Sequence, residues 1–314
     1  MFHESRRPFV QVRSRPKYTI MYHPLIFEYA DWSQEDLAHY FVLRNFLNRH
    51  LKFLQENPDV QASFELSGAE ALRLRQNDPE IFRRFKELSA EDRIDFLEGS
   101  YSQPHFHIWT GESNIRQFQY GLGVIKELFG KDVTNYFRQE SSFHHQLPQI
   151  LSAFGFKYSC AQEFADTVLN LKGVELDLFQ GGVRANVLEG SEVIYWVGLD
   201  GSRIRHVLTD PVSIGEMLER ERVNELKEGF GLAWSRFYHS HPDTCFAPSL
   251  EELRERKQNV SFAKASDIVS EYLDKIEPRG EATIFTPDSY DCIPANGLLG
   301  QTQTRTAEYR VIQA

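Results

Sequence analysis

Cysteine is scarce in this chain: among 314 residues only Cys160, Cys245 and Cys292 carry a thiol, and no C-x-x-C pair occurs. An odd, widely spaced set argues against a disulfide framework and suits a reducing compartment. Long apolar runs are missing too, with no stretch of about 18 residues that would cross a bilayer as a helix. The opening MFHESRRPFVQVRSRPKY is basic but lacks the continuous apolar core of a secretory signal. The expectation is a cytoplasmic protein. Positive charge is also in short supply, since 35 Lys and Arg against 45 Asp and Glu leave a formal net charge of -10 and a pI near 5.6. Phosphate backbones and anionic lipids require clustered cations, so neither nucleic acid nor a membrane is expected as a partner. No internal repeat, low-complexity block or linker breaks the chain.

What is present is an alternation of strand-like and helix-like patterns from Tyr18 onward, the signature of a parallel sheet or barrel with crossover helices. Strands are predicted at 18–22, 61–66, 94–97, 133–138 and 158–161. Helices are predicted at 34–56 with Ser33 as N-cap, at 69–76, at 79–88 with Asp78 as cap and Pro79 in the first turn, at 114–129 stopped by Gly130, and at 148–154. Farther on, 193–197 and 206–208 read as paired strands around Asp200-Gly201-Ser202, with helices at 216–227, 250–258 and 266–275 and a late strand at 282–285. About 250 to 300 residues is usual for one α/β barrel. Residues 1–17 are therefore taken as an N-terminal arm and 18–314 as a single barrel domain. In such barrels reactive groups collect on loops at the C-terminal ends of the strands. That rule singles out His23, the Glu65 region, 103–109, 140–145 and the segment after Phe285.

The most informative stretch runs from Glu98 to Gly155. Within it, Gly111-Glu112-Ser113 is followed by Arg116-Gln117 and Gly121, then Phe129-Gly130, then Phe143, His145, the run Leu147-Pro148-Gln149-Ile150-Leu151 and Gly155. Trp196, Gly198 and Asp200-Gly201-Ser202 come later, and Gly300 to Arg305 close the series. In this order the blocks resemble the N-terminal catalytic barrel of family 38 glycoside hydrolases, the α-mannosidases, over roughly residues 18 to 310. The resemblance implies an α/β barrel of the (β/α)7 glycoside hydrolase and deacetylase type. It also implies a retaining mechanism in which an Asp is both nucleophile and zinc ligand, beside an H-x-D pair on the first strand and a later His.

Those positions are altered here. His23 persists, but Leu25 stands at the Asp of the pair, Ser141 at the nucleophile and His105 at an Asp after the third strand. A leucine cannot ligate zinc. The chain also ends at Ala314, ahead of the parts that supply the family's last zinc-binding His, so no metal and no other cofactor is expected. Retaining hydrolysis needs only two carboxyl groups about 5 to 5.5 Å apart. The barrel of family 57 glycoside hydrolases resembles this one in general plan and uses a Glu nucleophile without metal. Glu140 is the matching candidate, with Asp291 as the partner acid and Asp288 of equal chemical merit.

Each candidate has a plainer reading beside it. Glu140 would also serve as a helix N-terminal carboxylate. His105 and His107 alternate so that two imidazoles share one side of an extended segment; with His23 they would make a metal set or, alternatively, hydrogen-bond sugar hydroxyls. His144 intrudes where the family has Gly, and His145 matches a family His. Trp109, in the polar strand-end loop, is the best-placed of the aromatics Tyr101, Trp109, Trp196 and Trp234 to stack on a pyranose, against the alternative of core packing. Asp200 is either a substrate-binding residue or a turn aspartate. Arg116 and Arg305 are read as holding loops. His239 to Asp243 resemble a zinc motif but read as a turn. The resulting expectation is a carbohydrate-active hydrolase acting on a glycosidic bond, with Glu140 and Asp291 catalytic and His23, His105, His107, Trp109, His144 and Asp200 binding substrate. The alternatives are a catalytically silent sugar- or partner-binding barrel, one subunit of a split enzyme, and a metal-dependent deacetylase. Self-association or a partner subunit would cover an apolar face left by absent domains.

Overall fold

A computed structural model describes residues 17–23, 34–102, 104, 106, 109–138, 146–161, 169–171, 193–207, 230–236, 250–278 and 280–284. The first half repeats strand and helix: β1 (Lys17–His23), α1 (Gln34–Glu56), β2 (Ala62–Glu65), α2 (Gly68–Asn77), α3 (Pro79–Ala90), β3 (Ile94–Leu97), α4 (Gly111–Phe129), β4 (Asn135–Arg138), α5 (Leu147–Ala153) and β5 (Tyr158–Ala161). Then come β6 (Leu169–Leu171), β7 (Val193–Val197), β8 (Arg203–Val207), β9 (Phe230–Arg236), α6 (Leu250–Arg256), β10 (Ser261–Phe262), α7 (Ala265–Glu271), a 3-10 turn (Leu273–Lys275) and β11 (Glu281–Ile284). In one sheet β1 pairs in parallel with β2, β9 and β10, and β2 pairs with β3. The other runs β4-β5-β8-β7-β11-β6. The two are joined where the Glu98 N–H donates to the Asn135 carbonyl at 3.2 Å. Together they form the α/β barrel of the (β/α)7 type.

Adjacent strand residues point to opposite faces, and here the two faces feed different cores. Tyr22, Phe64 and Phe96 face the helices: Tyr22 stacks on Phe64 at 4.9 Å, Phe64 meets Phe85 of α3 edge-on at 4.8 Å, and Phe96 lies 4.5 Å from Phe129 of α4. Leu97, Phe137, Tyr158, Val193 and Val207 form a second cluster with Ala265, Ile268, Val269 and Leu273. α7 therefore closes the end where the strands begin, as the pairing of β10 with the start of β1 requires. The Ala265 amide donates to Ser63 Oγ at 2.8 Å and the Ser266 amide to Asp95 at 2.9 Å. Burial raises the Asp95 pKa against those hydrogen bonds.

Local chemistry explains most boundaries. α2 opens with a reciprocal capping box, in which the Glu70 amide donates to Ser67 Oγ at 3.2 Å and the Ser67 amide to the Glu70 carboxylate at 2.8 Å. α4 starts three residues ahead of the predicted Asn114, because Thr110 Oγ1 caps it by accepting from the Ser113 amide. Its end at Gly130 is as predicted, with φ +71 and the Gly130 N–H on Lys126 O. The expected cap Asp78 is corrected: Pro79 does begin α3, but the buried Asp78 carboxylate makes no capping bond and pairs with Arg44. Ser33 and the helix predicted at 216–227 lie outside the described residues.

The parallel pattern is not uniform. β7 is antiparallel to β8, and β11 is parallel to β7, so both run against β4, β5 and β8. Among the described residues no helix is long and apolar enough to cross a membrane.

Candidate functional site

The C-terminal ends of β2 and β3 stand side by side, and the residue after β3 reaches the first residue of β4. β2 ends on Glu65, whose side chain is fully buried and whose backbone is in register with Leu97. The next residue of the neighbouring strand path is Glu98, also fully buried, and its φ of +76 lies in the left-handed region that a non-glycine residue avoids. That conformation costs about 1 to 3 kcal/mol and persists only where the surroundings hold it. Here they do: the Glu98 carboxylate accepts from the Ser100 amide at 2.9 Å while its own N–H reaches across to β4. Strain of this kind at a strand end marks a site where backbone position matters more than local comfort.

α4 fixes the loop that follows. A Cβ on Gly121 would come within 2.3 Å of both Gly99 O and Ser100 C, so helix and loop backbone touch directly. Phe106 anchors the loop farther along, stacked on Phe118 of α4 at 5.2 Å with the rings within 2° of parallel. Its carbonyl accepts from Asn114 Nδ2 at 2.8 Å. Ser102 is held by Gln117, which accepts from the Ser102 amide at 2.9 Å. Out of this frame Tyr101 and Trp109 emerge exposed, and with Glu112, Ser113, Arg116, Gln117 and Tyr120 they line a cleft of about 320 Å³.

The predicted site residues divide three ways. Glu140, Asp291, Asp288, His105, His107, His144, His145, Arg305 and 239–243 lie outside the described residues. Glu140 follows two residues after the C-terminal end of β4. His23 is the last residue of β1, in register with Arg236 of β9, and it follows Tyr22, which pairs with Phe64 of β2. Trp109 is exposed in the cleft.

Asp200 is placed elsewhere. It belongs to the turn between β7 and β8, and because β8 runs parallel to β5 and β4 this turn lies at the end where those strands begin. Its carboxylate accepts from the Ser202 amide at 2.9 Å and the Ser202 hydroxyl at 2.6 Å, which holds its pKa down. Of its two readings the structure carries the turn aspartate. Trp196 is core, edge-on to His206 at 5.7 Å, and Arg116 pairs within α4 with Glu112 at 2.7 Å instead of holding a loop.

Two buried histidines did not figure in the sequence reading. His50 Nδ1 shares a 2.9 Å hydrogen bond with the Tyr22 hydroxyl, and His206 Nδ1 a 2.9 Å bond with the Ser159 hydroxyl. Burial pushes each imidazole down to about 3, so both are neutral parts of the core. Glu65 and Glu98 were also passed over as individual residues. Their signal was a carboxylate closing an apolar strand run, in FE-LSG and FL-EGS. Among the described residues no group of three or more His, Cys, Asp or Glu is arranged to hold a metal ion.

The chain segment carrying Asp288 and Asp291 leaves β11, which runs against β4.

Comparison with known proteins places this geometry. The chain is 30% identical over 112 residues to α-mannosidase G of Dictyostelium discoideum, a match covering 35% of this chain and 10% of that protein. It is 24% identical over 129 residues to α-amylase 1 of Dictyoglomus thermophilum, covering 41% of this chain and 18% of the other. The aligned parts are thus small fractions of those longer proteins. Among solved structures, 4-α-glucanotransferase from Thermococcus litoralis superposes with a TM-score of 0.57 at 12% identity, over 86% of this chain and 40% of that one. This last likeness speaks for the fold. The family model of glycosyl hydrolase family 57 matches residues 5–210, which corrects the resemblance to family 38 to the broader group. With two thirds of its length under that match, the chain belongs to glycosyl hydrolase family 57.

Proposed function

We propose that the protein hydrolyses an α-linked glycosidic bond by a two-carboxylate, metal-independent mechanism with retention. The observation that carries this reading is the family 57 match through β4 and the segment beyond it, which contains Glu140. Glu140 attacks the anomeric carbon while Asp291 gives its proton to the departing glycosidic oxygen, so that a glycosyl-enzyme forms and the first product leaves. Asp291, now a carboxylate, takes a proton from water as that water attacks the same carbon, and Glu140 is released. The two groups must stand about 5 to 5.5 Å apart. His23, His105, His107 and His144 are assigned to hydrogen bonds with the sugar hydroxyls. Glu98 holds the end of β3 by accepting from the Ser100 amide.

The α linkage rests on the names of the two curated relatives, an α-mannosidase and an α-amylase. Mannoside and glucoside are therefore the first substrates to try. The test is turnover of an aryl α-glucoside, an aryl α-mannoside and maltoheptaose by wild type, Glu140→Gln and Asp291→Asn, each checked for an unchanged unfolding midpoint. Loss of turnover in Glu140→Gln supports the reading. Wild-type rates in a folded Glu140→Gln, or no turnover of any glycoside by the wild type, would overturn it.

A further inference from the structure

Five large hydrophobic side chains are exposed among the described residues: Tyr101, Trp109, Ile115, Tyr120 and Leu199. Three of them line one cleft. The cleft lies between the loop after β3 and the first three turns of α4. We propose that it is a binding site for a neutral pyranose chain, built entirely on the loop after β3 and on α4 and able to hold the polymer independently of the cleavage step.

Three observations select this ligand. Exposed aromatic side chains offer flat apolar faces that water leaves readily for the apolar face of a sugar ring. Exposure is 36% for Tyr101, 40% for Trp109 and 55% for Tyr120, and the core has ample aromatic packing without them. The charges at the rim cancel, because Glu112 and Arg116 are bonded to each other at 2.7 Å. Such a pair presents donor and acceptor together to vicinal hydroxyls and gives neither an anion nor a cation a net attraction. The cleft is also built on a rigid frame. Tyr101 rests against Gly68 at the close contact of α2 with α4, and Gln117 ties Ser102 in place, so little conformational entropy is lost when a chain docks. A volume of about 320 Å³ suits a sugar unit or two, not a protein domain.

This inference extends the proposed hydrolase by a holding site, and its test does not depend on cleavage. Binding of maltoheptaose and of a manno-oligosaccharide of equal length is measured by titration calorimetry on the full chain, in a Glu140→Gln background so that nothing is consumed. Either sugar binding the parent, with Tyr120→Ala and Tyr101→Ala each weakening it by about tenfold, is the expected result. Circular dichroism midpoints equal to the parent's show that the variants fold. Failure of both sugars to bind, or binding untouched by both substitutions, overturns the holding site. If Glu140→Gln still hydrolyses glycosides while the tyrosine variants lose binding, the mechanism falls and the holding site stands.

Discussion

Gly121 offers the sharpest test of how the strand-end loop is held. Replacing it with alanine puts a methyl group 2.3 Å from Gly99 O, 2.3 Å from Ser100 C and 2.5 Å from Ser100 O. An ordinary carbon–oxygen contact is about 3.3 to 3.6 Å, so helix and loop must part by about 1 Å. All three atoms belong to backbone, which cannot rotate aside as a side chain would. The neighbouring Glu98 already has a strained φ of +76, and Gly99 one of +77 that favours glycine. The expected cost is about 3 kcal/mol, the upper part of the range for overpacking. Gly123 on the same helix is the control, because a Cβ there meets nothing within 4 Å. Gly123→Ala should gain about 0.5 to 1 kcal/mol from helix preference alone. That preference is common to both variants, so their difference isolates the contact. Urea unfolding of the two variants measures it through the shift in midpoint at constant slope. If Gly121→Ala falls within about 0.5 kcal/mol of Gly123→Ala, α4 does not hold the loop by backbone contact, and the positioning argument fails.

Acid should unfold the protein through His50 and His206. Each has a folded pKa of about 3, below the ordinary 6.5, so the unfolded chain takes up protons that the fold refuses. Stability from this source is complete above pH 6.5 and falls as pH drops below it, by about 2 kcal/mol per histidine at pH 5. Melting followed from pH 7 to pH 5 should show the loss, and it should shrink in His206→Gln; a flat profile would contradict the burial argument. Asp200→Ala should lower the unfolding midpoint slightly, through the lost turn bonds with Ser202, and leave glycoside turnover unchanged. A large fall in turnover would return Asp200 to the site.

Residues whose structure is decided by near neighbours were legible in the sequence. The bounds of α1, β3, β5 and β7 match the periodicity at both ends, and Gly130 ends α4 as a left-handed residue should. Where a side chain had two partners to choose from, sequence reasoning chose the local one: Asp78 was expected to cap α3 and instead pairs with Arg44, 34 residues away. β9 and β10 were missed because they exist through parallel pairing with β1, more than 200 residues earlier, and no local pattern announces such a partner. Asp200 was left between a substrate-binding residue and a turn aspartate, because only the pairing of β8 with β5 shows at which end of the strands its turn lies. Trp109 was legible as an exposed aromatic in a polar loop, but its companions Tyr101 and Tyr120 meet it only through the packing of α4 on that loop. Strand-end position pointed to the Glu65 region in general; the complete burial of Glu65 and Glu98 is a property of the closed barrel.

The mechanism turns on whether a sugar becomes bonded to Glu140. Incubation with 5-fluoro-α-glucosyl and 5-fluoro-α-mannosyl fluorides traps such a species, and the mass of the tryptic peptide 139–157 reports it. The account predicts one fluorohexosyl group on that peptide, carried by Glu140 and absent from Glu140→Gln. Turnover of the same protein with the label on any other carboxylate, or with no label at all, would contradict it.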